Sequence, residues 1–263
     1  MTRRRALVTG ASSGIGAATA RLLAGSGYRV ALLARRRERL EALHSELEGE
    51  GHIVLPCDLV DADAIEAALS ELDRSFGGLD LLVNNAGMGY RARVEELDPA
   101  LLDQVFAANV RGLLLSCQSA LPLLRRGELP VVVNVSSVVG RRGVPGQAAY
   151  CASKAAVTSI GESLRIEWAP DKISVCTLSP ALTATGFFGS QPNPSALPDP
   201  ELGDAAQPAE VARHILALDR SPQPELTLRR KWHWLGILSA ALPRLADRLL
   251  LRRIGGDWEA PVR

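Results

Sequence analysis

The chain has 263 residues, 47% hydrophobic and 22% charged, ordinary values for one large or two small globular domains with a sizeable core. Thirty basic residues against 29 acidic ones leave a net charge of +1, which argues against nucleic-acid binding. Four cysteines (Cys57, Cys117, Cys151, Cys176) without a CxxC pair fit neither a zinc site nor a disulfide framework. They indicate a reducing compartment.

The basic start "MTRRRALVTGASSGIG" lacks the apolar stretch of a signal peptide, and no run approaches the ~20 apolar residues of a membrane-spanning helix. The expectation is a cytoplasmic protein. In chain order, the apolar runs "RALVTG", "YRVALLAR", "HIVLPCD", "LDLLVNNAG", "PVVVNVSS" and "ISVCTLSP" read as strands buried on both faces of a parallel sheet. Between the first four lie the amphipathic segments "GAATARLLAGSG", "RERLEALHSELEGEG" and "DADAIEAALSELDRSFGG". This alternation predicts an α/β fold: a single-domain, Rossmann-like, doubly wound parallel sheet flanked by helices. The domain spans residues 1–231, and residues 232–263 form a C-terminal amphipathic helical extension of it. Residues 186–208, rich in Pro, Gly and Ser, form a long loop of the kind used as a lid or binding loop.

The first strand runs into "TGASSGIG", Thr9 to Gly16. Glycines at 10, 14 and 16 let the backbone approach a pyrophosphate, and the following helix offers free N–H groups and the positive end of its dipole. A Gly-rich turn alone is weak; one placed between a strand and a helix is the context that confirms it. The second strand ends "VALLARRRERL", with Ala34 where NAD-binding proteins carry an acid and with Arg35 and Arg36 next. A guanidinium can hold a 2′-phosphate that an acid would repel. NADP(H) is therefore expected in preference to NAD(H). The plainer alternative is that Arg35–Arg37 form a solvated helix start, although basic residues are mildly unfavourable there.

TGASSGIG, the later NNAG (Asn84–Gly87), a serine at the end of "PVVVNVSS" and Tyr150/Lys154 in "AAYCASKAA" together resemble the short-chain dehydrogenase/reductases in their compact form. The resemblance covers roughly residues 5–185. It implies an oxidoreductase that interconverts a small-molecule carbonyl and alcohol with a nicotinamide cofactor and no metal, assembled as a homodimer or homotetramer. Tyr150 matches the general acid/base, and Lys154, one turn on, would lower its pKa and hold the nicotinamide ribose. Ser137, thirteen residues before Tyr150, would hydrogen-bond the substrate oxygen, with Ser136 as its rival. Asn109, in "FAANVRG", matches a helix-bending asparagine that serves a proton relay; the alternative is a buried structural amide. The cofactor set implied is Gly10, Ser12, Ser13, Gly14, Ile15, Gly16, Arg35, Asp58, Leu59, Asn85, Ala86, Gly87, Tyr150, Lys154, Thr183 and Thr185. Asp58 would contact the adenine amino group, and Thr183 and Thr185 the carboxamide. The small residues Ala149, Cys151, Ala152 and Ser153 would give the helix clearance beside cofactor and strand, with Cys151 a buried hydrophobe rather than a nucleophile.

Two places depart from the family. "SPALTATGFF" has Ala181 where Gly is usual, which questions the loop geometry because Ala avoids positive φ. In place of a terminal strand and Gly-Gly turn, the chain ends in "WHWLGILSAALPRLADRLLLRR". Leu235, Leu238, Leu242, Leu245 and Leu249 make an apolar stripe, Arg244, Asp247 and Arg248 lie away from it, and Pro243 kinks the segment or begins a second helix. Basic clusters at both ends, with Trp232 and Trp234, suit a peripheral membrane contact; a dimer contact and a lid over the substrate pocket remain open. Leu182, Phe187 and Phe188 point to an apolar substrate unless they belong to the core. The alternative to an enzyme is a non-catalytic nucleotide-binding scaffold recruited to a membrane or partner by its tail.

Overall fold

The computed structural model describes residues 3–199 and 203–254, so the extension expected to 263 falls partly outside the described residues. In chain order the elements are β1 (Arg5–Thr9), α1 (Gly14–Gly25), β2 (Arg29–Ala34), α2 (Arg37–Glu46), β3 (Ile53–Pro56), α3 (Ala62–Phe76) and β4 (Leu81–Asn84). There follow α4 (Pro99–Phe106), a π-helical turn (Ala107–Arg111), α5 (Gly112–Leu124), β5 (Val131–Val135), α6 (Ala148–Glu167) and β6 (Ser174–Ser179). The chain then forms α7 (Phe187–Ser190), α8 (Pro208–Arg220), β7 (Glu225–Thr227), α9 (Arg230–Ala241) and α10 (Pro243–Ile254).

All strand pairs are parallel, in the order β3-β2-β1-β4-β5-β6-β7. Side chains alternate between two cores. Ala6, Val8, Val30 and Leu32 pack with α1, α2 and α8, whereas Leu7, Ala31 and Leu33 pack with α3, α5 and α6. Every residue of β4 and β5 is buried, which is why these strands are Val- and Leu-rich apart from Asn84 and Asn134, which bond each other. The chain reverses direction across the sheet between β1 and β4, and such a switch point opens a crevice at the strands' carboxyl ends. Asp61 caps α3, accepting from the backbone N–H groups of Asp63 and Ala64 at 3.0 and 3.1 Å. By contrast α1 has no side-chain cap and no acid in its first turn, so its N-terminus is left for other use.

Three features bear on the sequence expectations. A terminal strand is present after all: β7, only three half-buried residues, extends the sheet beside β6. Pro243 is the first residue of α10, so the tail is two helices rather than one kinked segment. The helical run 99–124 is, by length and composition alone, apolar enough to cross a membrane. In this fold it packs against α3, β4 and α6.

Candidate active site

A single cleft of about 1670 Å³ runs along the carboxyl ends of the strands, from the Gly-rich turn to Tyr150. It exceeds the roughly 300–1,000 Å³ of one drug-sized site. At its phosphate end the backbone is held rather than loose. The Thr9 hydroxyl donates to the Val83 carbonyl at 3.2 Å and accepts from the N–H groups of Asn85 and Ala86 at 3.0 and 3.1 Å. Asn85 Nδ2 in turn donates to the Thr9 carbonyl at 3.0 Å. Gly10 adopts φ +67°, and a Cβ there would lie 2.8 Å from the Ala86 Cα. Gly16 does not line the cleft as expected. It lies beneath it, where a Cβ would come within 2.3 Å of the Gly10 carbonyl, so its role is to let α1 pack against the turn.

At the end of β2 the guanidinium that reaches the turn is Arg36, not Arg35. Arg36 Nη2 donates to Ser12 Oγ at 2.9 Å and Ser13 Oγ at 3.2 Å, and Arg39 lies beside it on the cleft wall. Burial and the neighbouring Arg39 and Arg35 charges hold the Arg36 pKa below its usual value, so a dianion there would relieve mutual repulsion. Arg35 lines the cleft as well, mostly exposed, with Nη1 3.8 Å from Asp58 Oδ2. Ser12, Ser13, Gly14, Ile15, Asp58, Leu59, Asn85, Ala86, Gly87, Thr183 and Thr185 all line the same cleft. The uncapped start of α1, the close backbone approach at Gly10 and Arg36 on two serines fit a phosphorylated dinucleotide.

At the other end, β5 delivers Ser136 and Ser137, and α6 delivers Tyr150 and Lys154. The two serines have different partners. Ser136 is buried, donating to the Lys154 carbonyl at 2.8 Å and sitting 3.0 Å from Thr158 Oγ1, whereas Ser137 is the one that interacts with the Tyr150 phenol. Lys154 Nζ donates to the Val135 carbonyl at 2.9 Å and lies 5.9 Å from the centre of the Tyr150 ring. Burial lowers the Lys154 pKa to about 8. Burial pushes the Tyr150 phenol well above its usual value, with Ser137 pulling the other way. Desolvation is the largest influence on the phenol, and the Lys154 ammonium, expected to act on it, donates to the Val135 carbonyl.

Asn109 sits in the π-turn, fully buried and outside the cleft. Its Oδ1 accepts from the Met88 N–H at 2.6 Å, while Nδ2 donates to the Met88 carbonyl and to Ser153 Oγ, both at 2.9 Å. The π-helical turn stands where a helix-bending asparagine is expected, and the amide clamps the strand end after β4 to α6. A Cβ on Gly87 would lie 3.1 Å from Asn109 Oδ1 and 3.4 Å from Lys154 Nζ, so this glycine gives both side chains room.

The small residues of α6 serve packing more than cofactor clearance. Ala149 joins a cluster with Tyr90, Ala92 and Val105; Ser153 bonds Asn109 and the Tyr150 carbonyl; Ala152 is exposed. Cys151 is buried and free, its thiol pushed up by burial, in keeping with an inert hydrophobe. Ala181 does not take positive φ, so the Gly-to-Ala change leaves the loop unstrained. The loop is instead fixed by a bridge between Thr183 and Ala206 and by the Thr185 hydroxyl accepting from the Phe187 N–H at 3.2 Å.

Leu182, Phe187 and Phe188, singled out in the sequence, line the cleft, with the Phe187 ring centre 5.7 Å from that of Tyr150. Trp232, also singled out, joins Met88, Val144 and Leu250, which had no sequence signal, in an apolar wall. Buried Arg91 ties down the loop before α8, with Nη1 2.6 Å from Asp199 and Nη2 on the Pro198 carbonyl.

The family model described as short chain dehydrogenase matches residues 4–195. This chain belongs to the short chain dehydrogenase family. It is 34% identical over 220 residues to carbonyl reductase family member 4 of Danio rerio, an alignment covering 83% of this chain and 92% of the relative. Among solved structures, an alcohol dehydrogenase from Thermococcus sibiricus complexed with 5-hydroxy-NADP superposes with a TM-score of 0.77 at 31% identity, covering 87% of this chain and 97% of the other. A 3-ketoacyl-(acyl-carrier-protein) reductase from Brucella melitensis complexed with NADH gives a TM-score of 0.77 at 30% identity, with coverages of 86% and 96%. The chain is thus a Rossmann-like oxidoreductase of a family acting on small molecules, with nicotinamide-dinucleotide-binding neighbours.

Proposed function

We propose that this protein is an NADP(H)-dependent oxidoreductase that interconverts an apolar carbonyl compound and its alcohol. The observation that carries the proposal is one continuous cleft with Arg36 on the Ser12 and Ser13 hydroxyls at one end and Ser137, Tyr150 and Lys154 at the other. When bound, the dinucleotide supplies or accepts the hydride. Gly10, Gly14 and the start of α1 would hold its pyrophosphate, Arg36 its 2′-phosphate, Asp58 and Leu59 its adenine side, and Thr183 and Thr185 the carboxamide.

In the reducing direction Tyr150, raised by burial, keeps its proton at neutral pH and delivers it to the oxygen of the carbonyl. The Ser137 hydroxyl donates to the same oxygen and fixes its position. Lys154, titrating near 8, is mostly cationic at neutral pH and offsets the negative charge that develops beside it. Asn109 acts through other groups, as a positioning residue for Met88 and Ser153. The wall of Phe187, Val144, Trp232 and Leu250 selects an apolar substrate. Four free, buried thiols support a reducing, cytoplasmic setting.

The test is steady-state turnover of purified protein with NADPH or NADH against a panel of short polar and long apolar ketones and aldehydes. NADPH-dependent reduction that favours apolar members is expected. NADH preference would overturn the cofactor assignment, and no turnover of any carbonyl would favour the scaffold reading.

A further inference from the structure

The charge of the chain is unevenly placed. Residues 229–254 carry seven of its 30 basic residues (Arg229, Arg230, Lys231, Arg244, Arg248, Arg252, Arg253) and one of its 29 acids, Asp247. That acid is already paired with Arg142. Arg229 and Lys231 are paired with Asp204, so the cations left to the hairpin's outer side are chiefly the α10 arginines.

The hairpin has two faces. Its inner face closes the cleft: Trp232 and Leu250 line it, Ala246 is fully buried, and Gly236 sits so close to Arg141 that a Cβ would lie 3.3 Å from the arginine's own. Its outer face is apolar and uncovered: Trp234 is 59% exposed, Ile237 48%, Leu242 54%, and Leu245 and Leu249 43% each. At 100° per residue, Leu242, Leu245 and Leu249 fall between the buried Ala246 and Leu250 and an outer row of Arg248 and Arg252, with exposed Arg244 next to it. The leucines of the predicted stripe thus divide: Leu235 and Leu238 are half-buried, the other three face outward.

We infer that this face docks on an anionic phospholipid surface. The apolar residues enter the interface and the arginines pair with lipid phosphates, as in interfacial amphipathic helices. A second copy fits worse, because two-fold self-pairing brings the same patch into contact with itself and sets its arginines against their copies. Docking sets the hairpin that walls the cleft on the bilayer, which holds the cleft close to a reservoir of apolar carbonyl compounds. That last consequence rests on the proposed function; the docking itself does not.

The experiment is co-sedimentation of the full chain with phosphatidylcholine vesicles, with and without phosphatidylglycerol, using two variants. One is R244E/R248E/R252E and the other W234S/L245S/L249S, all at exposed positions. Wild type is expected on the anionic vesicles, released by high salt, and weakly bound to neutral ones. Charge reversal should weaken partitioning by about a hundredfold, roughly fivefold per arginine. NADPH turnover of a water-soluble carbonyl should be unchanged in both variants, which separates loss of docking from loss of fold or chemistry. Equal binding of wild type and the charge variant overturns the inference. So does a dimer in light scattering that W234S/L245S/L249S converts to monomer, since a second copy would then own the face. Vesicle binding without any carbonyl turnover would sink the enzymatic reading and leave the docking standing.

Discussion

Arg36→Ala separates the two nicotinamide cofactors. In the structure Arg36 Nη2 donates to Ser12 and Ser13 at 2.9 and 3.2 Å, and the side chain is solvent-exposed. Losing it returns two surface hydroxyls to water, so stability should stay within about 0.5 kcal/mol of wild type. The 2′-phosphate is different. A charge-assisted hydrogen bond is worth about 1.5–3 kcal/mol, and 1.4 kcal/mol is tenfold. The kcat/KM for NADPH should therefore fall roughly 10- to 150-fold, while that for NADH, which has no phosphate at this point, changes less than about threefold. Matched steady-state kinetics at constant ionic strength read both. Equal losses for the two cofactors would refute the reasoning, because they would place Arg36 on the shared part of the dinucleotide or on the fold of the turn.

Other predictions concern stability. Burial holds Lys154 near 8 against 10.5 unperturbed, about 3 kcal/mol at neutral pH at 1.36 kcal/mol per pKa unit. Lys154→Met removes that cost but leaves the Val135 carbonyl without its donor, worth roughly 1 kcal/mol. The variant should be inactive yet about 2 kcal/mol more stable in urea at pH 7. The gain should shrink as pH rises from about 8 towards 10.5, where the unfolded wild type still binds the proton that the folded one has lost. A less stable variant at pH 7 would contradict this. Asp80 accepts from Arg5 Nε and Nη2 at 2.9 and 2.8 Å and from the Glu128 N–H at 2.6 Å. Burial alone would raise its carboxyl, but these bonds outweigh burial and hold it below the usual range. Its contribution is whole at neutral pH and is lost as pH falls through the folded pKa. Asp80→Asn should cost about 3–5 kcal/mol at pH 7 and progressively less on acidification; a cost independent of pH in equilibrium unfolding would argue against the pairing.

The parallel sheet was legible because β1, β2, β4, β5 and β6 are nearly or wholly buried, which leaves Val-, Leu- and Ala-rich stretches in β1, β2, β4 and β5. β7 was not, since three half-buried residues, Glu225–Thr227, carry no such run. The Gly-rich turn, Ser137, Tyr150 and Lys154 were visible as residue types at fixed spacing, and the structure gathers them along one cleft. Which of two adjacent arginines faces that turn was not, because it depends on how α2 leaves the strand. Burial around Tyr150 and the hold of Val135 on Lys154 come from chain segments distant in sequence, so the direction of the tyrosine shift could not be read from an i, i+4 pair. Likewise the Arg91–Asp199 tie joins residues 108 positions apart.

The central claim is that Tyr150 is the proton donor of a carbonyl reduction. Its most direct test is Tyr150→Phe, assayed for NADPH oxidation with the best carbonyl of the panel and, separately, for NADPH binding by fluorescence. Removing the hydroxyl while keeping the ring beside Phe187 should lower turnover by about a thousandfold, within the range for general acid catalysis, and leave NADPH affinity within a few-fold. Turnover within tenfold of wild type, with NADPH still bound, would contradict the account.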